Sequence, residues 1–351
     1  MEENVWSAED TTPSAIEAAL RELLSEQHLR GRAYAPARVL NLIVVVDREW
    51  KGEIENRLER VGRYHPSRTI LCAVEPGRGA IDAWVTMRVE GDPRPGELAL
   101  CRERIVLDLG EHQLERLDTV VDALVVPDIA TLVWSPHGHP EAIDAVRRLA
   151  QVVLVDSVNE PDPRAAVGRA RDLSGDAYVV DLAWLRSTPW RERVAATFDP
   201  SPWREELGRI SSVTVRHHPP SQVAGLLFFG WLCSRLGWRP GALVGRNGSL
   251  AGKASGRRGD VGLALEPDER MSVPGLAGIT VETASGMSIA LDRGPGGLRA
   301  RRVTRKGQES AWTVLGASRG EAGILGEGIR QALLRDPAYR PALACAEAML
   351  G

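Results

Sequence analysis

Apolar residues recur with two periods along the first part of the chain. Helical spacing begins after Thr12-Pro13, with Ile16, Leu20 and Leu23 on one stripe, and returns after residue 54. Between these helices, residues 38–47 (RVLNLIVVVD) form a continuous branched apolar run. Such a run is typical of a strand covered on both faces. Strand-like runs follow at residues 68–75, 81–90 and 97–109.

Helix and strand patterns then alternate. Residues 114–124 have helical spacing, 131–134 and 152–156 are strand-like, and 141–150 are helical between them. This alternation is typical of βαβ units. We expect residues 1–158 to form an N-terminal α/β domain with a mixed sheet, ending near the NEPDP segment at 159–163.

The pattern of the remaining chain, residues 159–351, predicts a C-terminal α+β domain. Residues 220–236 are apolar nearly all round, which indicates a buried helix. Five strand-like runs between residues 261 and 315 suggest a meander, and two helices close the chain. Residues 241–260 are rich in glycine and arginine, so we expect a mobile loop there.

One stretch, residues 181–199 (DLAWLRSTPWRERVAATFD), combines an apolar run with a helix start. Thr188 is expected to cap that helix, and Pro189 stands where its missing N–H costs nothing. Trp190 recurs with Val194 and Phe198 at four-residue spacing, so these three should line one side while Arg191 points elsewhere. From the residues alone, the stretch predicts a strand-to-helix junction with buried tryptophans.

Composition narrows the classes of protein that fit. The chain has 351 residues, 43% of them hydrophobic, and a net charge of −3. The length favours two domains, and the charge gives no reason to expect nucleic acid or an anionic membrane as a partner. The acidic start is no signal peptide, and the longest apolar run is too short to cross a bilayer. We therefore expect a cytoplasmic protein.

The cysteines predict no cofactor or metal. The four of them, Cys72, Cys101, Cys233 and Cys345, lie far apart and show no CxxC spacing. Each stands in an apolar context, where a small buried thiol is the simpler interpretation. A redox role for any of them stays open at the level of sequence.

The catalytic motifs that the sequence offers each lack a necessary member. Residues 316–320 match GxSxG between a predicted strand and a predicted helix, but no histidine follows His218. Residues 248–253 partly match a phosphate-binding loop, yet Asn247 and Ala254 occupy positions that require glycine and Ser or Thr. No GxGxxG follows a predicted strand, so the dinucleotide fingerprint is missing. We expect no enzymatic activity of the chain itself.

Two polar clusters have a functional and a structural interpretation. His137, His139 and Glu141 could supply metal ligands from one loop, but no second cluster completes a ligand shell, so a solvated loop is the favoured interpretation. The densest basic run lies at residues 299–306 and could form either a solvated hairpin or a surface for an acidic partner. Nucleic acid fits this run less well, because no aromatic residues are interleaved.

The segment GRYHPSRTI, residues 62–70, gathers two arginines, an imidazole and a hydroxyl in a short loop that leads into a strand. Arg63, His65, Ser67 and Arg68 could bind a phosphate or carboxylate, because arginine presents a planar fork of donors. Alternatively, Arg68 braces a buried turn by donating to backbone carbonyls. The residues alone leave these two interpretations open.

Three segments together resemble one family, the OpcA-type glucose-6-phosphate dehydrogenase assembly proteins. They are HPSRTI at 65–70, LVVPDIATLVWSP at 124–136 and the stretch 181–199, which is the most specific of the three. The resemblance implies a non-catalytic protein that binds glucose-6-phosphate dehydrogenase, favours its active oligomer and raises its activity. It would thereby feed the oxidative pentose phosphate pathway.

An activator of this kind needs a contact surface, and Trp and Arg are the favoured anchors of such surfaces. The candidates for binding the partner are the polar and aromatic residues of the three segments: Arg63, His65, Ser67, Arg68, Trp134, Arg186, Trp190 and Arg191. The alternative function is a sugar-phosphate-binding sensor or enzyme that uses the loop of residues 63–68.

Overall fold

The computed structural model describes residues 3–29, 34–36, 38–62, 66–90, 99–158, 160–246, 248–315 and 320–351. The chain divides into two compact units. The first comprises Met1–Val155 and Asp176–Val180, and the second comprises Asp156–Gly175 and Asp181–Gly351. The chain therefore passes between the units three times, whereas the prediction placed one boundary after residue 158.

The first unit is built on nine strands. Its strands are β1 Glu3–Ala8, β2 Tyr34–Pro36, β3 Leu40–Asp47, β4 Ser67–Val74, β5 Asp82–Glu90, β6 Ala99–Leu109, β7 Ala130–Trp134, β8 Val152–Val155 and β9 Tyr178–Asp181. Its helices are α1 Pro13–Leu29, α2 Lys51–Gly62, α3 Leu117–Val121 and α4 Pro140–Val146, with 3-10 turns at Arg48–Trp50 and Glu111–Arg116.

The order of these strands is β1-β5-β6-β4-β3-β7-β8-β9, with β2 beside β6. β3, β4, β6, β7 and β8 pair in parallel, and β1 and β5 add an antiparallel edge. β3 is central and its apolar residues are buried, as its continuous apolar run predicted. From β3 the chain moves outward to β4 and β6, returns to β7 on the other side of β3, and continues to β8 and β9. This is the strand order of a doubly wound Rossmann-type sheet, and it confirms the predicted α/β fold with a mixed sheet.

The second unit carries the remaining helices and strands. Its helices are α5 Pro163–Leu173, α6 Leu182–Arg186, α7 Thr188–Phe198, α8 Ser201–Arg204, α9 Gln222–Leu236, α10 Gly320–Leu334 and α11 Tyr339–Leu350. Its strands are β10 Ile210–His217, β11 Arg239–Pro240, β12 Val244–Arg246, β13 Ser249–Gly256, β14 Gly259–Pro267, β15 Leu276–Thr283, β16 Ser288–Gly294, β17 Gly297–Val303 and β18 Glu309–Leu315. Short 3-10 turns lie at Glu205–Arg209 and Pro219–Ser221.

Its sheet has the order β11-β13-β14-β10-β15-β16-β17-β18, with β12 beside β13. Only β10 and β14 pair in parallel among the strand pairs that the structure describes. Four of the five apolar runs form the predicted meander, β15 to β18, whereas the first run lies in β14, which pairs with β10 and β13. α9 is buried on nearly all sides, as predicted, and no described helix is long and apolar enough to span a bilayer.

The prediction of a mobile loop at residues 241–260 is wrong, because the described residues of this segment include β12, β13 and the start of β14. β13 and β14 pair from Leu250↔Leu265 to Gly256↔Gly259. Their hairpin turns at Arg257 and Arg258, where Gly259 takes a φ of 131° that a side chain would resist. The prediction failed because backbone pairing, which needs no apolar side chains, holds these small residues in place.

The junction within residues 181–199 also differs from its prediction. The strand ends at Asp181, and the apolar residues that follow it form α6 instead of continuing the strand. Asp181 caps α6 by accepting a hydrogen bond from the Ala183 amide. Thr188 does not cap α7. It is the first residue of that helix, and its Oγ1 accepts a hydrogen bond from Arg191.

Candidate functional site

Asp181 stands at the end of β9 and is buried, which makes its carboxylate the centre of a hydrogen-bond network. Its Oδ1 accepts from the amides of Ala183 at 2.9 Å and Ser157 at 3.2 Å. Its Oδ2 accepts from the Ser157 hydroxyl and from the Tyr339 hydroxyl, the latter at 3.2 Å. This one side chain thereby connects three segments: the turn after β8 that contains Ser157, the start of α6 and the start of α11.

A second set of contacts surrounds Trp184 on α6. The guanidinium of Arg191 lies 3.3 Å from the centre of the Trp184 ring, and the Tyr339 ring meets it edge-on at 5.6 Å. The indole Nε1 donates to Asp336 at 2.8 Å. Asp336 also accepts from the Ala338 amide at 2.8 Å, just before α11 begins. We call Asp181, Trp184, Arg191, Asp336 and Tyr339 the Trp184 cluster.

Arg191 is buried within this cluster, contrary to the expectation that it points away from the apolar side of α7. Its Nη2 donates to Thr188 Oγ1 at 2.8 Å and to the Trp184 carbonyl at 3.3 Å. A guanidinium tolerates this position because its face stacks on an aromatic ring while its edge donates to oxygen atoms. The three residues that the four-residue spacing predicted to line one side of α7 are buried, as expected: Trp190, Val194 and Phe198.

Burial shifts the pKa values of two charged groups of the cluster, Asp181 and Arg191, toward the neutral form. It raises the pKa of Asp181 to about 6, with a further contribution from the charge of Asp156, while the hydrogen bonds from Ser157 and Ala183 act in the opposite direction. Burial also lowers the pKa of Arg191 to about 10, against the favourable charges of Asp336 and Glu192. Arg191 therefore remains charged at neutral pH.

A groove of about 510 Å³ borders the N-terminal turn of α7. Leu185, Thr188, Pro189 and Trp190 form one wall, and the β16–β17 turn forms another. Arg186 also lines it, but its guanidinium makes two 2.7 Å hydrogen bonds to Asp156. Since the side chains of Arg186 and Asp156 are each only 8% exposed, this pair is part of the interior of the second unit.

In the first unit, Arg68 is buried and bonded internally. Its Nε donates to Glu103 at 2.8 Å and its Nη1 donates to the Leu124 carbonyl at 2.9 Å. Arg68 and Glu103 are register partners on the parallel strands β4 and β6, and Arg38 donates to the same carboxylate at 2.7 Å. Burial opposes the ionisation of Glu103, but hydrogen bonds from Arg38 and Arg68 outweigh it and lower the pKa of Glu103.

These contacts match the interpretation that Arg68 braces a buried turn by donating to a backbone carbonyl. Ser67 is also buried, and its hydroxyl lies 3.1 Å from that of Thr69. Arg63 and His65 lie outside the described residues. A phosphate or carboxylate ligand would therefore have to compete with Glu103 for the Arg68 guanidinium, which holds the loop end against β6.

Trp134 ends β7, next to the central strand β3. Its side chain is buried, and its Nε1 has no hydrogen-bond acceptor among the described residues. The order of strands reverses between β3 and β7, which is where doubly wound folds bind ligands. Here His139 Nε2 lies 2.9 Å from Asp47 Oδ1, at the end of β3, and His139 Nδ1 lies 3.2 Å from Glu141.

The residues at this reversal do not fit a dinucleotide. A pyrophosphate binds on a glycine-rich turn and a helix N-terminus, where backbone amides meet the phosphates. β3 ends at Asp47 and continues directly into the turn Arg48–Trp50, so this connection has no glycine-rich turn and carries two carboxylates, those of Asp47 and Glu49. In the loop where the sequence offered metal ligands, His139 contacts Asp47 and Glu141 instead. No metal-binding group of three or more residues occurs in the part of the chain that the structure describes.

The structure brings Arg186, Trp190 and Arg191 together in the second unit, and Ser67 and Arg68 together in the first. All five are buried or bonded internally, as is Trp134, and of these Arg186 and Trp190 also line the groove beside α7. Partner binding by the eight candidates stays a prediction.

Sequence reasoning missed Asp181, Trp184, Asp336 and Tyr339 as members of the cluster. The first two lie inside the stretch that the sequence singled out, and their polarity next to an apolar run was the available signal. Asp336 and Tyr339 carry no local signal, because the fold alone brings them to Trp184.

Three cysteines have side chains that the structure describes, and all three are free thiols: Cys72, Cys233 and Cys345. Burial raises the pKa of Cys72 and of Cys233 to about 12, and it also raises the pKa of Cys345. All three therefore remain protonated at neutral pH, which disfavours nucleophilic chemistry.

Comparison with known families matches nearly the whole chain to one of them. Residues 58–172 match the N-terminal domain of the glucose-6-phosphate dehydrogenase subunit, OpcA_G6PD_assem, and residues 177–343 match its C-terminal domain, OpcA_G6PD_C. The chain therefore belongs to the OpcA family of glucose-6-phosphate dehydrogenase assembly proteins, as the resemblance indicated.

Individual relatives agree with this assignment. Proteins named for OpcA and the OxPP cycle match from Synechococcus elongatus, with 27% identity over 51% of this chain and 42% of the relative, and from Synechocystis, with 25% identity over 63% and 47%. A third, from Nostoc punctiforme, is 31% identical over 40% of this chain and 31% of the relative. The chain thus aligns with less than half the length of these relatives.

Solved structures resemble the chain only weakly. An oxidoreductase domain protein from Kribbella flavida has 12% identity and a TM-score of 0.43, over 88% of this chain and 94% of that one. Apo scyllo-inositol dehydrogenase from Lactobacillus casei has 11% identity and a TM-score of 0.45, over 90% and 96%. Likenesses at this level carry no argument about the activity of the chain.

Proposed function

We propose that this protein binds glucose-6-phosphate dehydrogenase, favours its active oligomer and raises its activity without catalysing a reaction itself. The observation that carries the proposal is the match of both parts of the chain to the two domains of one family named for that dehydrogenase. Its site would be a surface, and its place of action the cytoplasm with the dehydrogenase.

The polar side chains of the described residues support this proposal. Where the sequence offered candidate chemistry, those side chains are engaged with one another: Arg68 with Glu103, Arg186 with Asp156, and His139 with Asp47. These contacts hold the segments that carry them in place, which is what a binding surface requires.

Activation of this kind is a coupling free energy between two binding events. The protein must bind the active oligomer of the dehydrogenase better than its other states, and a coupling of about 1–3 kcal/mol is typical. We propose that Arg63, His65, Ser67, Arg68, Trp134, Arg186, Trp190 and Arg191 contribute to binding, the buried ones by holding the contacting segments in position.

The direct test mixes the purified chain with the dehydrogenase of the same organism and separates the mixture by size-exclusion chromatography. We expect the two proteins to elute together, and the dehydrogenase in that peak to show a higher rate than dehydrogenase alone. Separate elution with an unchanged rate would contradict the proposal.

A thermal-shift panel tests the alternative of a sugar-phosphate sensor. If residues 63–68 form a ligand site, phosphate or glucose 6-phosphate raises the melting temperature of the chain without the dehydrogenase, because a ligand that binds the folded state stabilises it. Since Arg68 is bonded to Glu103 and Leu124, we expect no such shift.

A further inference from the structure

The outer edge of the second sheet is open. β18 is the last strand in the order and pairs with β17 on one side only, from Gly297↔Leu315 to Val303↔Glu309. No strand pairs with its other side among the described residues. Every residue of β18 except Val314 is exposed, including Leu315 at 76%. An open, exposed edge presents unpaired backbone donors and acceptors that can receive another strand.

A stack of three side chains flanks this edge. The guanidinium of Arg302 on β17 lies 4.4 Å from the centre of the Trp203 ring and 5.7 Å from that of Trp312 on β18. Trp312 is 38% exposed, and the Nε of Arg302 is buried in the stack with no acceptor among the described residues, so the outer guanidinium nitrogens are the ones that face a partner. Stacking on tryptophan holds a guanidinium flat and leaves its donors for a planar carboxylate.

Positive charge collects at the same place. Arg301 is satisfied by Glu309, at 2.6 and 2.9 Å. Arg302, Arg305 and Lys306 have no carboxylate partner within the described ranges. Glu205 and Glu206 line the same groove as Arg305 and Lys306, but both pair with Arg209, at 3.8 and 3.1 Å. β18 with the turn at 304–308, Arg302 and Trp203 will be called the β18 edge surface. It combines tryptophan and arginine, the residues that dominate binding energy at interfaces, with an excess of positive charge.

We propose that the β18 edge surface binds an extended, acidic segment of a partner protein, which lies along β18 as an added strand. The backbone of the segment pairs with the free side of β18, and its carboxylates meet Arg302, Arg305 and Lys306. The inference rests on the proposed function, since it takes glucose-6-phosphate dehydrogenase as that partner.

The test compares two pairs of substitutions in matched hairpin turns. Arg305→Glu/Lys306→Glu reverses the charge of the β17–β18 turn, and Arg257→Glu/Arg258→Glu makes the same charge change in the exposed β13–β14 turn. The dissociation constant for the dehydrogenase is measured by isothermal titration calorimetry at two salt concentrations. We expect the first pair to weaken binding about tenfold or more and to flatten its salt dependence, and the control pair to change it by less than about twofold.

The tryptophan stack receives its own comparison. Trp312→Ser removes the outer ring, while Trp50→Ser removes a ring of similar exposure (41%) in the first unit. We expect about a tenfold loss of affinity for the first substitution and little change for the second. Circular dichroism of each variant verifies that it remains folded.

Hydrogen exchange measures the added strand on the unaltered protein. Addition of the dehydrogenase should slow exchange of amides in β18, whose outer side gains acceptors, but not in β16, which is already paired on both sides.

The outcomes separate the two proposals. If the unaltered chain does not bind the dehydrogenase, both are contradicted. If it binds but the β18 variants bind equally well and β18 gains no protection, only the β18 edge surface is contradicted. If the chain alone forms a dimer that Arg305→Glu/Lys306→Glu dissociates, a second copy is the occupant and the inference is overturned.

Discussion

A single buried arginine shows how the second unit is held together. Arg191 contributes a planar cation that stacks on Trp184, donates to Thr188 and to the Trp184 carbonyl, and lies 3.8 Å from Asp336. A buried charge is costly without such partners, and its removal leaves the partners unsatisfied. We infer that Arg191 connects α6, α7 and the segment before α11.

Substitution of this residue should therefore destabilise the chain far more than substitution of its neighbour. Arg191→Met is expected to lower the free energy of unfolding by about 2–4 kcal/mol, because the stacking and hydrogen bonds are lost. Arg193→Met, at an exposed position on the same helix, should change it by less than about 0.5 kcal/mol. Urea denaturation of both variants checks this, and equal effects would contradict the buried role of Arg191.

Asp181 predicts a pH dependence with a definite sign. Its pKa is raised from 3.8 to about 6 in the folded chain, so the folded state binds more protons than the unfolded state between these values. The free energy of unfolding therefore falls as the pH rises through this window, by up to about 3 kcal/mol, and this contribution is constant above it.

Asp181→Asn removes this titration while keeping an acceptor for the Ala183 amide. Relative to the unaltered protein, the variant should become progressively more stable as the pH rises from 4 to 6. Denaturation curves at several pH values measure the difference, and a difference that does not vary with pH would contradict the raised pKa of Asp181.

At the residue scale, the sequence predicted which tryptophans are buried but not what the arginines do. Helical spacing placed Trp190 on the inner side of α7 correctly. The same spacing placed Arg191 outside, because it assigns sides by polarity and cannot detect an aromatic ring that the previous helix supplies. Arg68 was left between two interpretations because its partner, Glu103, lies on a strand 35 residues away.

Among the elements, α9 and α11 pack unusually closely, and a glycine makes this possible. A Cβ at Gly230 would lie 2.1 Å from the Ala342 carbonyl oxygen of α11. Backbone atoms cannot yield as a flexible side chain can, so any side chain at Gly230 forces the helices apart. Glycine lowers the intrinsic stability of a helix, but at this position it allows α9 and α11 to pack closely.

Two glycine-to-alanine substitutions within helices should consequently have opposite signs. Gly230→Ala is expected to destabilise the chain by about 1–3 kcal/mol through overpacking. Gly168→Ala, at an exposed position of α5 with nothing within 4 Å, should stabilise it by about 0.5–1 kcal/mol through helix propensity. Thermal denaturation distinguishes the two, and a stabilising Gly230→Ala would refute the close approach.

Most elements could be predicted from the period of apolar residues, and the failures share a cause. Residues 244–246 and 249–256 form strands although their side chains show no apolar alternation, because partner strands hold their backbone. Residues 182–186 form α6 although their apolar run resembles a strand, since the Asp181 cap starts a helix there. In both cases, hydrogen bonds that the period of apolar residues does not reveal decide the structure.

For the whole molecule, the sequence predicted an α/β domain and an α+β domain but not the order of strands. The reversal between β3 and β7 arises from pairing across some 90 residues, as in Asn41↔Thr131, which no local pattern reveals. The resemblance of three short segments, by contrast, identified the family that the full comparison confirmed. The fold is of a type that supports many activities, so the proposed role rests on the family and not on the sheet.

The most direct test of the central claim is sedimentation velocity of the dehydrogenase with activity detection during a titration with the purified chain. We expect the active dehydrogenase to sediment as a larger species as the chain is added. Its rate per mole should rise to saturation in parallel, as the population shifts to the active oligomer. An unchanged sedimentation coefficient and an unchanged rate at excess chain would contradict it.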